Sequence, residues 1–122
     1  MALPAITAER AYVRNLDTGE VYYQKGTGTR IAASVTKLMT AYVLFQSNPT
    51  LGDLAQSVTV LTADLPGGTE NLQNGDQITL LNLLYDALMP SMNSACNAIA
   101  RTIGNELTAS GGVARFVTEM GT

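Results

Sequence analysis

The sequence predicts a mixed α/β (α+β) fold in which an N-terminal β-hairpin precedes a mostly helical region. Within residues 10–24, two segments rich in Tyr and Val flank a turn-forming segment. From residue 34 onward, apolar residues recur at the three- and four-residue spacing of amphipathic helices. The 122 residues are 46% hydrophobic and 14% charged. This composition supports one small domain with a single core and excludes a disordered polar tail.

The hairpin and the first helix follow from local pattern. Asp17-Thr18-Gly19-Glu20 supplies turn-forming residues between the two predicted strands. A helix is predicted over residues 34–47, and Pro49 then prevents its continuation. Five residues at helical spacing are predicted to form one apolar face of this helix: Val35, Leu38, Met39, Tyr42 and Phe45.

Residues 50–122 are predicted to form a helical subdomain. Residues 56–61 alternate and are expected to be extended, and Gln73-Asn74-Gly75-Asp76 is typical of a turn. Thr79 is expected to cap a helix over residues 80–89, which Pro90 stops. A third helix is predicted to end at Gly104, with these residues buried: Ala95, Cys96, Ile99, Ala100 and Ile103. A last helix carries Val113, Phe116, Val117 and Met120.

Charge and composition exclude several classes of function. The net charge is −3 and no Lys/Arg cluster occurs, which argues against a nucleic-acid or anionic-membrane partner. The chain contains no His, so it has neither a Ser-His-Asp triad nor an ordinary His-based zinc site. Cys96 is the single cysteine and is expected in the core. No apolar run approaches the length of about 20 residues that spans a bilayer, and no signal peptide is visible.

Ser34-Val-Thr-Lys37 is a first candidate motif. On a helix, residues three apart share a face, so the Lys37 amine is expected within reach of the Ser34 hydroxyl. A serine hydroxyl becomes a good nucleophile when a neighbouring base takes its proton, and a helix N-terminus favours the negative charge that develops. The same residues also fit an ordinary N-cap serine and a solvated lysine.

Ser91-Met-Asn93 is a second candidate motif, in a predicted loop between two helices. A loop held by rigid helices is a good place to present polar groups to a ligand. The alternative interpretation is purely structural: Pro90 ends one helix, and Asn93 or Ser94 caps the next. S-x-x-K followed by S-x-N forms the first two of three motifs shared by penicillin-binding proteins and active-site-serine β-lactamases.

Four segments, in order along the chain, carry a closer resemblance: Ala11-Tyr-Val-Arg-Asn-Leu-Asp-Thr-Gly-Glu-Val21, Ile31-Ala-Ala-Ser-Val-Thr-Lys-Leu-Met-Thr40, Leu72-Gln-Asn-Gly-Asp-Gln-Ile-Thr79 and Leu83-Leu-Tyr-Asp-Ala-Leu-Met-Pro-Ser-Met-Asn-Ser-Ala95. Together they resemble the D-alanyl-D-alanine carboxypeptidases, the low-molecular-mass penicillin-binding proteins. The resemblance implies a penicillin-recognising α/β fold, of which residues 1–122 form a single partial domain without the C-terminal sheet strands.

The resemblance also implies a chemistry. Ser34 is expected to attack the bond between two terminal D-alanines of a peptidoglycan stem peptide, with Lys37 as general base. Ser91 is expected to relay a proton, and Asn93 to bind the substrate. A β-lactam would acylate Ser34. Neither a metal nor an organic cofactor is implied, and the expected location is the cell envelope, periplasm or extracellular space.

Two departures from the family pattern stand out. Met92 occupies the position of a glycine, so its side chain is expected to crowd the cleft. The third motif, K-T-G or K-S-G, does not follow Asn93 in the 122 residues. In the family that strand supplies a cation for the substrate carboxylate, a second oxyanion amide and a sheet edge. A second protein chain is a candidate to cover the incomplete sheet.

Two other functions stay open at this stage. A β-lactamase would need a further carboxylate for deacylation, for which Asp64 and Glu70 are the candidates. A catalytically incomplete module would instead have a structural or binding role, for example in a virion or in docking to a cell wall. That module would have an intact fold and an interface over the exposed sheet, and it would show no turnover.

Overall fold

Strands and helices both occur, which confirms the predicted mixed α/β class. The computed structural model describes residues 5–67 and 71–121. It divides into two units, Met1–Ile31 and Ala32–Thr122. The first contains the predicted hairpin, and the second contains all the helices together with a further short pair of strands.

The N-terminal hairpin pairs β1 (Ala11–Arg14) with β2 (Val21–Lys25) in antiparallel register. The Asn15 side chain forms the turn, because its Oδ1 accepts the N–H groups of Asp17 at 2.8 Å and Thr18 at 3.0 Å. Such a side-chain turn is a common role of asparagine. The turn predicted around residues 17–20 is therefore present, and Asn15 starts it.

The helix predicted over residues 34–47 begins as a 3₁₀ turn, Ala33–Thr36, and continues as α1 (Lys37–Ser47). The predicted apolar face is exposed, which corrects the expectation of a core-facing stripe. The buried residues of α1 are Thr40, Ala41, Val43 and Leu44. Helical spacing failed to identify the packed face because α1 carries large apolar residues on both sides.

A short helix and a strand pair connect α1 to the next helix. Helix α2 (Leu51–Leu54) begins with a capping box formed by Thr50 and Asp53. Strand β3 (Ser57–Thr59) lies within residues 56–61, which were predicted to be extended. It pairs antiparallel with β4 (Gln77–Thr79), a strand that the sequence had not predicted. The predicted turn before β4 is present, and Gly75 adopts φ +95° there, a backbone conformation that favours glycine.

Three helices complete the second unit: α3 (Leu80–Leu88), α4 (Asn93–Leu107) and α5 (Gly112–Glu119). The Thr79 hydroxyl accepts the Asn82 N–H at 3.2 Å, so the predicted cap is confirmed. Helix α4 packs against α1, α3 and α5. The largest fully buried side chains belong to one core cluster and include Leu44, Leu54, Leu80, Leu83, Ile99, Ile103 and Phe116.

Gly104 does not end α4, contrary to the prediction, because the helix continues to Leu107. A Cβ built on Gly104 would lie 1.7 Å from the carbonyl oxygen of Gly112 at the start of α5. Gly104 is therefore required for the close approach of two helices. Among residues 5–67 and 71–121, no helix combines the length and apolar content needed to cross a bilayer.

Candidate active site

The first motif lies at the start of α1. Ala33 has φ +47°, a left-handed conformation that is uncommon for residues other than glycine. Ala33 is the first residue of the 3₁₀ turn, which also contains Ser34 and leads into α1 at Lys37. The Ser34 side chain is exposed. Strained backbone of this kind is concentrated at functional sites, so the conformation of Ala33 supports Ser34 as a candidate functional residue.

The second motif follows α3. Pro90 ends the helix, Ser91 adopts φ +64°, and Asn93 is the first residue of α4. The N–H of Met92 donates to the carbonyl of Asp86 at 3.0 Å, which fixes the turn. The N-cap of α4 is Met92. The structural interpretation, in which Asn93 or Ser94 caps α4, therefore does not describe this turn.

Lys37 joins the two motifs. Its Nζ donates to Ser91 Oγ at 3.0 Å and to Asn93 Oδ1 at 2.8 Å. These contacts connect residues that are more than fifty positions apart, across the interface of α1 with α4. The lysine is half-buried, so its side chain is held in place by the protein rather than extended into solvent.

A cleft of about 520 Å³ opens beside these groups. Its size falls within the usual range of small-ligand sites. The lining residues come from the 3₁₀ turn, α1, α4 and the loop after β3: Ala33, Ser34, Thr36, Lys37, Thr40, Pro66, Asn93, Cys96 and Asn97. Three of the four predicted site residues thus line one cleft, and Ser91 is attached to them through Lys37.

Two expectations about the surroundings are corrected. Met92 packs against the hydrophobic core and is not among the residues that line the cleft, so it does not crowd it. Cys96 is only half-buried, where the sequence predicted a buried core residue: it packs against the core and also lines the cleft. Its position three residues after Asn93 on the same helix would have been the signal for this.

Asp64 does not serve as the free carboxylate that a β-lactamase would need. Its side chain forms an ion pair with Arg101, with 2.9 Å between Asp64 Oδ2 and Arg101 Nη2. The residue is only 1% exposed. Glu70, the other candidate carboxylate, lies outside the described residues.

The fold and the two motifs together define a class, the active-site-serine proteins of the penicillin-binding type. The comparison with protein families then identifies the family. The family described as D-alanyl-D-alanine carboxypeptidase, peptidase S11, matches residues 1–122. The chain therefore belongs to this family.

Individual relatives agree with this assignment. The chain is 35% identical over 128 residues to a D-alanyl-D-alanine carboxypeptidase of Streptomyces sp. strain K15. It is 33% identical over 92 residues to a D-alanyl-D-alanine endopeptidase of Pseudomonas aeruginosa, a match that covers 75% of this chain and 30% of the relative.

Solved structures give the same result for the fold. The Streptomyces K15 DD-transpeptidase superposes with a TM-score of 0.82 at 30% identity, over 99% of this chain and 48% of that one. Penicillin-binding protein 5 from Haemophilus influenzae superposes with a TM-score of 0.82 at 25% identity, over 99% of this chain and 36% of the other. The match to the Streptomyces carboxypeptidase covers 98% of this chain and 43% of that relative. The chain thus spans less than half the length of these proteins.

Proposed function

We propose that this chain carries the acylating residues of a serine-type D-Ala-D-Ala carboxypeptidase that acts on peptidoglycan stem peptides. The observation that carries the proposal is the pair of hydrogen bonds from Lys37 to Ser91 and Asn93, beside a cleft that Ser34 lines. This arrangement brings a hydroxyl nucleophile, an amine and a side-chain amide together at one site. Membership of the carboxypeptidase family supports the same reaction.

The contacts of Lys37 suggest how acylation proceeds. A neutral amine that donates one N–H to Ser91 and one to Asn93 keeps its lone pair, which can accept the Ser34 proton. The Ser34 oxygen attacks the carbonyl carbon between the two D-alanines, and an ester bond forms. The C–N bond then breaks, and the proton passes through Lys37 and Ser91 to the amine of the departing D-alanine.

Asn93 has a double role in this mechanism. Its Oδ1 accepts from Lys37, and this contact fixes the orientation of the side-chain amide. In the proposed mechanism the amide NH₂ donates to the substrate carbonyl once substrate is bound. Water then attacks the ester carbonyl, and the bond between that carbon and the Ser34 oxygen breaks. The water oxygen stays on the shortened peptide as its new carboxylate, and one proton of that water passes to Ser34. A β-lactam would form the same ester with Ser34, but its cleaved ring stays attached.

The chain alone does not contain the third motif after Asn93, although its relatives are more than twice as long as the segment that matches. We propose that a further segment supplies the cation for the substrate carboxylate and the second oxyanion donor. One oxyanion donor is typically worth about 10²–10³ in rate. Activity on peptidoglycan places the proposed site of action in the cell envelope or outside the cell.

Release of D-alanine from a peptide ending in D-Ala-D-Ala tests the proposal, with the native protein as the enzyme. Lys37→Arg keeps a long side chain with N–H donors at this position, but arginine does not lose its proton and cannot act as a base. We expect this variant to lose about 10²–10⁴ in rate, the usual contribution of a general base. Full activity in Lys37→Arg would contradict the proposed mechanism.

A non-catalytic binding role is the second candidate, and the outer face of α1 favours it. Leu38 is 62% exposed and Tyr42 is 58% exposed, although both are large and apolar. Exposed apolar faces of this kind mark interaction surfaces. A native protein that binds stem peptides without releasing D-alanine, and that penicillin does not modify, would support this candidate over the enzyme.

A further inference from the structure

One face of α4 connects the candidate active site to the loop that forms its wall. Asn93, Asn97 and Arg101 are spaced four residues apart, so they lie along the same side of the helix. Asn93 Oδ1 accepts from Lys37. The next two residues along this face bind a single residue of the loop after β3, Asp64.

Arg101 holds the side chain of Asp64 in a forked contact. Its Nε lies 2.9 Å from Asp64 Oδ1, and its Nη2 lies 2.9 Å from Oδ2. The same Nη2 donates to the carbonyl of Thr59 at 2.8 Å. Asp64 Oδ2 also accepts the N–H of Leu61 at 2.9 Å. Residues 59–64 are therefore attached to α4 through a buried carboxylate.

Asn97 holds the backbone of the same segment. Its Nδ2 donates to the carbonyl of Asp64 at 3.0 Å. Two residues further along the chain is Pro66, which lines the cleft together with Ser34, Lys37 and Asn97 itself. Leu65 lies between them and precedes a proline, which restricts it to extended backbone, and it adopts φ −93° and ψ 105°. A fixed Asp64 carbonyl therefore limits where Pro66 can lie.

We propose that Asn97 is a positioning residue, which sets the Pro66 wall of the cleft against the acyl part of the bound substrate or β-lactam. This inference rests on the proposed function. Asn97 acts on the wall through the backbone of Asp64, whereas Asn93 acts on the lysine. One face of α4 thus contacts both Lys37 and the segment that leads to Pro66.

Asn97 is a better target for testing this than Arg101. Loss of Arg101 would leave a buried carboxylate unpaired, which usually destabilises the whole fold. Asn97 is half-buried, and its removal deletes one neutral hydrogen bond. Asn97→Gln keeps an amide donor and serves as the conservative variant. Asn82→Ala is the matched control, because Asn82 is exposed on α3 and is not a cleft residue.

The test measures acylation of the native protein by a fluorescent penicillin as a function of penicillin concentration. For Asn97→Ala we expect the half-saturating concentration to rise about three- to tenfold, which corresponds to one hydrogen bond. The limiting rate should stay within about twofold, since Lys37 keeps its contacts. Asn97→Gln should recover part of the loss, and Asn82→Ala should match the unsubstituted protein.

An unchanged half-saturating concentration, or a fall in the limiting rate alone, would overturn the proposal. Amide hydrogen exchange separates this from failure of the proposed function. In Asn97→Ala, the Leu61, Asp64 and Leu65 amides should exchange faster while the buried part of α4 is unchanged. If penicillin acylates no form of the protein, the proposed function fails. Positioning of the loop by Asn97 would then be supported by faster exchange at these amides and overturned by unchanged exchange.

Discussion

Helices α1 and α4 pack against each other and carry the two halves of the candidate site, but they differ in how completely they are covered. Residues on several sides of α4 are buried, because α1, α3 and α5 surround it. Helix α1 buries only the side that includes Val43 and Leu44. Its other side exposes Leu38 and Tyr42.

The two helices therefore have different roles: α4 supports the candidate site, and α1 with the turn before it carries the candidate reacting groups. The enclosed helix α4 fixes Asn93, Asn97 and Arg101, and these residues hold Lys37 and the loop after β3. The half-covered helix α1 begins with Lys37, and the nucleophile candidate Ser34 lies in the 3₁₀ turn that leads into it. A helix that is apolar on all sides is typical of one buried on all sides. The exposed face of α1 is thus the face where a further segment or partner would be expected to pack.

The largest expected effect compares the same substitution on the two faces of α1. Leu44 is 0% exposed, so Leu44→Ala should lower the free energy of unfolding by about 2–5 kcal/mol. Leu38→Ala removes an exposed side chain and should cost less than about 1 kcal/mol in the chain studied alone. Urea unfolding measures both. Equal losses would show that the outer face of α1 is packed as well, and would contradict the difference in coverage between the two faces of α1.

A second pair of variants tests the close packing around α4. Gly104→Ala places a methyl group against the Gly112 carbonyl, so α5 must move, and we expect a loss of about 1–3 kcal/mol. Gly52→Ala is the matched control, because the nearest atom to its new Cβ is 3.5 Å away. That variant should be neutral or gain up to about 1 kcal/mol. A neutral Gly104→Ala would contradict the tight crossing of α4 and α5.

The smallest expected effect concerns the short helix α2, which belongs to neither α1 nor α4. Two hydrogen bonds from Thr50 hold the pKa of Asp53 below its usual range. The bond from the Thr50 hydroxyl has the larger effect, and the bond from the Thr50 N–H has the smaller one. A lowered folded-state pKa contributes stability above the unfolded pKa of about 3.9, and that stability is lost as pH falls through the folded value.

Thermal unfolding from pH 7 down to pH 2 measures this contribution. The difference in melting temperature between the unsubstituted protein and Asp53→Asn should be small at neutral pH and should shrink below about pH 4. Asp86, which α3 carries, offers a parallel Asp→Asn substitution outside the capping box. A difference for Asp53→Asn that grows as the pH falls would show that the sign of this linkage is wrong.

The sequence predicted what depends on spacing and local signals. The hairpin turn, the Thr79 cap, the stop at Pro90 and the order of the two motifs could all be predicted in this way. The motif order also led to the family that the comparisons confirm. Each of these features depends on residues a few positions apart, whose propensities agree with the final fold.

The features that were wrong or missed depend on partners distant in sequence. Arg101 is 37 residues from Asp64, and Gly104 contacts the next helix, so neither role has a local signal. Spacing could not choose the buried face of α1 because both faces are apolar. The role of Asn97 needs the position of the Asp64 backbone, which only the folded chain provides.

The most direct test of the central claim is the intact mass of the native protein before and after incubation with penicillin. The account predicts a mass increase equal to one penicillin, mapped by peptide analysis to Ser34 and absent from Ser34→Ala. Thr36→Ala is the control for a hydroxyl that lines the same cleft, and it should still be modified. No mass increase in the unsubstituted protein, or an adduct that persists in Ser34→Ala, would contradict the account.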